Sequence, residues 1–169
     1  MSMSGNFLLL TDAELRAVLD APLGVQDVID DAYEQKSDRF VDIEKAWHCL
    51  HFLLTGTASE GDPPLDFIVC GGREVGDEDV GYGPARAFTS VEVKAIADAL
   101  ELVSIEELAR RFDGKRMDEL EIYPAVGTWT EIDPKSPDSF GYFSGAFDAV
   151  KALARRGRDE GLGLLVWLS

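Results

Sequence analysis

The stretch Asp42-Ile43-Glu44-Lys45-Ala46-Trp47-His48-Cys49-Leu50-His51-Phe52-Leu53-Leu54-Thr55-Gly56 holds both histidines of the chain, one of its three tryptophans and one of its two cysteines. At about 100° per residue, Ile43, Ala46, Trp47, Leu50, Leu53 and Leu54 gather on one broad apolar face, while Glu44, His48, His51 and Thr55 fall within an arc of about 60° on the other side. The spacing predicts a largely interior helix with one polar ridge, capped by Asp42 and stopped by Gly56 at the C′ position. An interior helix must be wrapped by other elements, and the flanking sequence supplies them.

Upstream, Phe7 to Leu10 reads as a strand, and Thr11-Asp12-Ala13-Glu14 has the form of a capping box, opening a helix with Leu15, Val18 and Leu19 inward. Pro22 and Gly24 end it. Val25, Val28, Ile29, Ala32 and Tyr33 then recur at helical spacing with Asp27, Asp30, Asp31 and Glu34 opposite, which predicts a second, strongly acidic amphipathic helix. Downstream of Gly56, residues 57–65 are turn formers, Asp66 to Cys70 reads as a buried strand, and 71–84 is a glycine-rich irregular span that leads into a short extended segment, Ala85 to Phe88.

Two further capping boxes, at Thr89 to Glu92 and Ser104 to Glu107, predict helices running to Val103 and to about Phe112. Met117, Leu120 and Ile122 permit another short helix before Pro124, and 124–138 is a loop containing Trp129. Ser136-Pro137 starts a helix carrying Phe140, Phe143, Phe147, Val150 and Leu153, with Gly141 and Gly145 marking an expected close approach and Arg155, Arg156 and Arg158 near the negative pole of the dipole. The apolar run 162–168 suits a central strand. No repeat or linker interrupts this order. The expected architecture is α+β, with about six helices around a small mixed sheet, one compact domain over 1–169.

Composition narrows the function. The chain has 169 residues, 46% of them apolar, with 32 acids against 16 bases and a net charge of −16. That field repels nucleic-acid phosphates and anionic lipid headgroups and attracts cationic protein surfaces. Nucleic acid and membrane are therefore not expected partners, whereas a basic protein is. The N-terminus lacks a basic region, and Phe7 to Leu10 is too short for a signal core or a span, so a cytoplasmic setting is expected. Cys49 and Cys70 read as reduced thiols.

The polar ridge admits three uses. Glu44, His48 and His51 stand at i, i+4 and i+7 and could give zinc three ligands, although their order is not that of a His-Glu-x-x-His peptidase helix and no cluster elsewhere completes a site. Either histidine could serve as a general base oriented by Glu44, yet no nucleophile elbow or phosphate-cradling loop accompanies it. The third use is structural: the imidazoles donate to backbone carbonyls and pin the span 71–84 or the loop around Trp129. No metal and no cofactor is expected, and no catalytic residue is assigned. Gly81-Tyr82-Gly83-Pro84-Ala85-Arg86, a tyrosine and an arginine around tight-turn residues, is the other candidate ligand-binding piece.

Lys45-Ala46-Trp47-His48 with His51-Phe52-Leu53-Leu54-Thr55-Gly56, then Gly81 to Arg86, then Ile122-Tyr123-Pro124, resemble the bacterial YfbM-like family of domains of unknown function. The resemblance runs nearly end to end. It implies a single compact α+β domain in a bacterial cytosol and carries no established activity, cofactor or catalytic residue. The two pieces it shares most distinctively are the Trp-His helix and the Gly-Tyr-Gly-Pro-Ala-Arg loop. The expected function is thus a non-enzymatic binding domain with an acidic surface for a basic protein partner, in an immunity-like or accessory role. The alternative is a small enzyme or ligand sensor, its ligand unidentified, with a pocket lined by Glu44, Trp47, His48, His51, Tyr82 and Arg86.

Overall fold

A computed structural model describes residues 2–169. Its centre is an antiparallel sheet in the order β2-β1-β5-β4-β3. The strands are β1 (Gly5–Leu10), β2 (Phe40–Asp42), β3 (Arg73–Glu74), β4 (Arg86–Phe88) and β5 (Gly163–Leu168). All four pairings are antiparallel, so the sheet is not the mixed one expected. Before β5, Gly161, at φ +67°, closes a Schellman-type helix end in which Leu162 N–H donates to Gly157 O at 2.8 Å, and β5 then enters between β1 and β4, antiparallel to both.

Strand alternation sends successive side chains to opposite faces. Phe7, Leu9, Phe88, Leu164 and Val166 enter one core, whereas Leu8, Leu10, Ala87, Leu165 and Trp167 enter the other. The first face is covered by α3 (Trp47–Thr55), α4 (Ser90–Glu101), α5 (Ile105–Arg111), α6 (Gly114–Glu119) and α7 (Pro137–Glu160); the second is covered by α1 (Asp12–Asp20) and α2 (Val25–Gln35). The result is α+β, with seven helices among the described residues where about six were expected.

Local sequence sets most helix starts. The boxes at Thr11 and Thr89 form completely, each threonine accepting from the N3 amide and each glutamate closing back on the cap. At Ser104 only half forms, because the carboxylate of Glu107 is drawn to Arg110 and Arg111 instead. The predicted inward positions of α7, Phe140, Phe143, Phe147, Val150 and Leu153, are all buried. Gly141 and Gly145 are a correction: a Cβ at either would meet nothing within 4 Å. The close approach falls at Gly157 instead, where a Cβ would lie 2.7 Å from Val93 Cγ1 and 2.8 Å from Leu9 Cδ2.

Two other expectations give way to tertiary contacts. Residues 66–70 are turns rather than a strand, with Val69 and Cys70 amides both donating to Asp66 O, although Phe67 and Ile68 do reach the core. The helix expected from Asp42 begins only at Trp47, because residues 40–43 are held in the sheet: Phe40 to Asp42 pair with β1 and Ile43 N–H donates to Gly5 O at 2.9 Å. The helix then docks so tightly that a Cβ on Gly5 would sit 2.6 Å from Trp47 Cβ. No helix among the described residues is long and apolar enough to cross a membrane.

Candidate functional site

Helix α3 is buried on almost every side, as its composition requires. Gly56 stops it at φ +78°, its amide donating to Phe52 O at 2.7 Å. The polar ridge survives for three of its four members. His48, His51 and Thr55 face the excursion 57–71, whereas Glu44 lies before the helix at φ +47°, exposed, its amide held by Asp42 Oδ1 at 2.6 Å. Its carboxylate accepts from the Tyr142 hydroxyl at 3.4 Å. Glu44 is therefore removed from the histidines, and the three-ligand arrangement and the carboxylate-oriented base go with it. Among the described residues no group of three or more His, Cys, Asp or Glu gathers as a metal site would need.

The histidines are fixed in one tautomer by their partners. His48 Nδ1 accepts from the Tyr123 amide at 3.0 Å, so Nε2 carries the proton and donates to Ala58 O at 2.8 Å. His51 Nε2 stands 3.0 Å from Glu60 O and donates to it, while Nδ1 is buried with no partner. Burial lowers both imidazoles, that of His51 to about 4. Trp47 stacks on His48 at 4.6 Å between centroids, and its indole N–H donates to Met3 O at 3.3 Å. The segments tied down are 57–60 and Tyr123, at the entry to the loop around Trp129, rather than the span 71–84.

Arg86 completes this clasp from the opposite side of the excursion. It projects from β4 with its guanidinium 5.7 Å over the Phe88 ring and donates to the carbonyls of Phe67, Ile68, Cys70 and Gly71. Burial lowers it to about 10. Those bonds explain why 66–70 is not a strand: its carbonyls point to an arginine, not to a ladder. They also engage both terminal nitrogens, Nη1 and Nη2, that a bidentate anionic ligand would use. Tyr82 lies elsewhere, 42% exposed, its amide donating to Leu168 O at 3.0 Å. The structure thus brings His48, His51 and Arg86 to one backbone excursion, with Trp47 beside them, and leaves Glu44 and Tyr82 apart.

Of two cavities, the smaller adjoins this clasp through Gly71 and Phe88 and the larger lies away from it. A small one of about 130 Å³ is lined by Pro63, Pro64, Asp66, Gly72, Phe88 and Ile96, where burial raises the Asp66 carboxyl above its usual range. The larger, about 630 Å³, is a groove on the other face of the sheet, between α1, α2 and the 37–39 turn. Leu8, Leu10 and Val18 form its floor, Ala17, Ala21 and Val28 its walls, and Glu14, Asp31 and Asp38 stand at its rim beside Arg39. Sequence reading found the acidic face of α2 but missed this groove; the available signal was the pair Ala17 and Ala21, where a fully packed helix would carry larger apolar residues.

With this geometry in place, the chain can be set beside known proteins. The sequence model described as Domain of unknown function (DUF1877) matches residues 1–167. The chain belongs to the DUF1877 family. It is similar to Protein YfbM of Escherichia coli strain K12, 33% identical over 138 residues that span 79% of this chain and 80% of that one. The crystal structure of YfbM from Escherichia coli, titled a protein of unknown function, superposes over 100% of both chains with a TM-score of 0.75 at 27% identity. The α+β architecture is therefore that of a DUF1877 domain, end to end.

Proposed function

We propose that this DUF1877 domain is a non-catalytic binding protein whose acidic α1–α2 layer meets a basic protein partner. The observation that carries this reading is a run of acids left without ion pairs beside an open groove. Residues 11–36 contain seven acids against two bases, and among the described residues only Glu14 of those seven is in an ion pair, with Arg39 at 3.6 Å. On the opposite layer the arginines are spent on pairs: Arg111 with Glu107, Arg116 with Glu119, Arg155 with Glu101, Arg158 with Asp98 and Asp159. Unneutralised charge on one face steers a cationic partner to that face and raises its rate of encounter. An immunity-like or accessory role toward a cationic protein suits such a surface, in a cytoplasmic setting.

The test is capture from a lysate of the source organism at low and moderate salt, with wild-type protein beside the reversal variant Asp27→Lys/Asp30→Lys/Glu34→Lys. The expected result is a basic protein retained by the wild type, released by moderate salt and absent with the variant. Capture of nothing, or of the same proteins by both forms, refutes the reading.

A further inference from the structure

We infer that the α1–α2 groove seats an amphipathic basic helix, two of its apolar side chains resting on the floor and a lysine or arginine beside Asp31; this rests on the acidic-partner reading above and names where and how that partner would dock. The groove's volume, about 630 Å³, lies within the range of formed ligand sites. It is open because its walls are short: Ala17 on α1 and Ala21, which caps that helix, are both exposed, and a Cβ on Gly24 at the far end would meet nothing within 4 Å. The floor is apolar, Leu8 and Leu10 lying there at 7% and 6% exposure. An occupant with an apolar face would bury that surface.

The rim decides the occupant's charge. Arg39, the one cation lining the groove, is 3.6 Å from Glu14, and Asp38 is held by Arg156 at 3.0 Å. Asp31 makes no ion pair among the described residues, and Asp27, Asp30 and Glu34 of the same helix, likewise unpaired, extend the negative field beyond the mouth. An anionic or purely apolar occupant would leave this charge uncompensated; a basic amphipathic segment matches both floor and rim. The sheet edge beside the groove is three residues long, Phe40–Asp42, too short for strand addition to supply the main contact, so a helix with anchors at i and i+3 or i+4 is the form that fits.

The probe is a short fluorescein-labelled peptide of leucine and lysine patterned as an amphipathic helix, titrated with the full chain by anisotropy at low salt. The inference expects saturable binding that weakens at least about tenfold in Ala17→Trp, which fills the groove without changing charge, and in Asp31→Lys, while Glu106→Lys on the remote α5 leaves it unchanged. Circular dichroism on each variant checks that the fold is kept, and Val28→Trp supplies a second filling variant. Equal binding by Ala17→Trp and Val28→Trp, or by a peptide with its leucines replaced by serine, would overturn the groove while leaving the acidic surface standing. Absence of any binding would overturn the groove as well; lysate capture with the α2 reversal variant then judges the surface by itself.

Discussion

Leu164 and Leu165 are neighbours on the central strand, 2% and 0% exposed, yet they belong to different proteins in miniature. Leu164 points into a core of 31 buried residues covered by five helices, and Leu165 into one of 12 covered by two. The larger layer ties its loops down through His48, His51 and Arg86 and pairs most of its arginines with acids. The smaller one keeps a groove and unpaired acids. A closed layer and an open, acidic one are thus divided between the two faces of one sheet, and the histidines that dominate the sequence fall on the closed side.

The largest expected effect tests that assignment. Arg86→Met strands the carbonyls of 67–71 and should cost about 4 kcal/mol in chemical denaturation, with Arg86→Lys recovering less than half because an ammonium cannot span four carbonyls. A variant as stable as wild type would show that the clasp does not hold the excursion.

Next, the two leucines can be set against each other. Leu164→Ala should lose about 3 to 4 kcal/mol and Leu165→Ala about 2 to 3, because the thinner layer relaxes further around a cavity. Equal losses would erase the distinction in packing.

Acid should act on the larger layer. Burial holds His51 at about 4 against an ordinary 6.5 and lowers His48 in the same direction. Between those values the unfolded chain binds more protons than the folded one, so this stability is complete above pH 6.5 and is lost as pH falls toward 4, by roughly 2 to 3 kcal/mol. Denaturation midpoints measured across that window should flatten in the double variant His48→Gln/His51→Gln; an unchanged pH slope would remove the imidazoles from the account.

The smallest effects separate close packing from open space. Gly157→Ala should destabilise by about 1 to 2 kcal/mol despite the better helix propensity of alanine, since the new methyl meets Val93 and Leu9. Ala17→Leu, in the groove, should stay within about 0.5 kcal/mol of wild type by thermal melting. A large loss at Ala17 would mean that the groove is not open.

What was readable in advance was local. Thr11 and Thr89 cap because their glutamates stand three residues away, Gly56 stops α3 because a left-handed residue is needed there, and Phe140 to Leu153 bury because their period matches the helix. Family membership was also readable, from the Trp-His helix and the Gly81 to Arg86 loop. The candidate site was half legible: His48 and His51 do share a face, but Glu44 was placed on that face by a helix that had not yet begun.

The sequence by itself determined element types, most of their ends and the sign of the surface field, since each depends on neighbours within about one turn or on composition. Tertiary structure decided the rest. Arg86 met carbonyls 15 to 19 residues away, which turned an apolar run into a capped turn. Pairing of residues 40–43 with β1 delayed α3, and the docking of α1 and α2 on the sheet left a groove lined by two alanines. Hydrogen bonds and voids of this kind depend on which backbones approach in space, and no period along the chain encodes that approach.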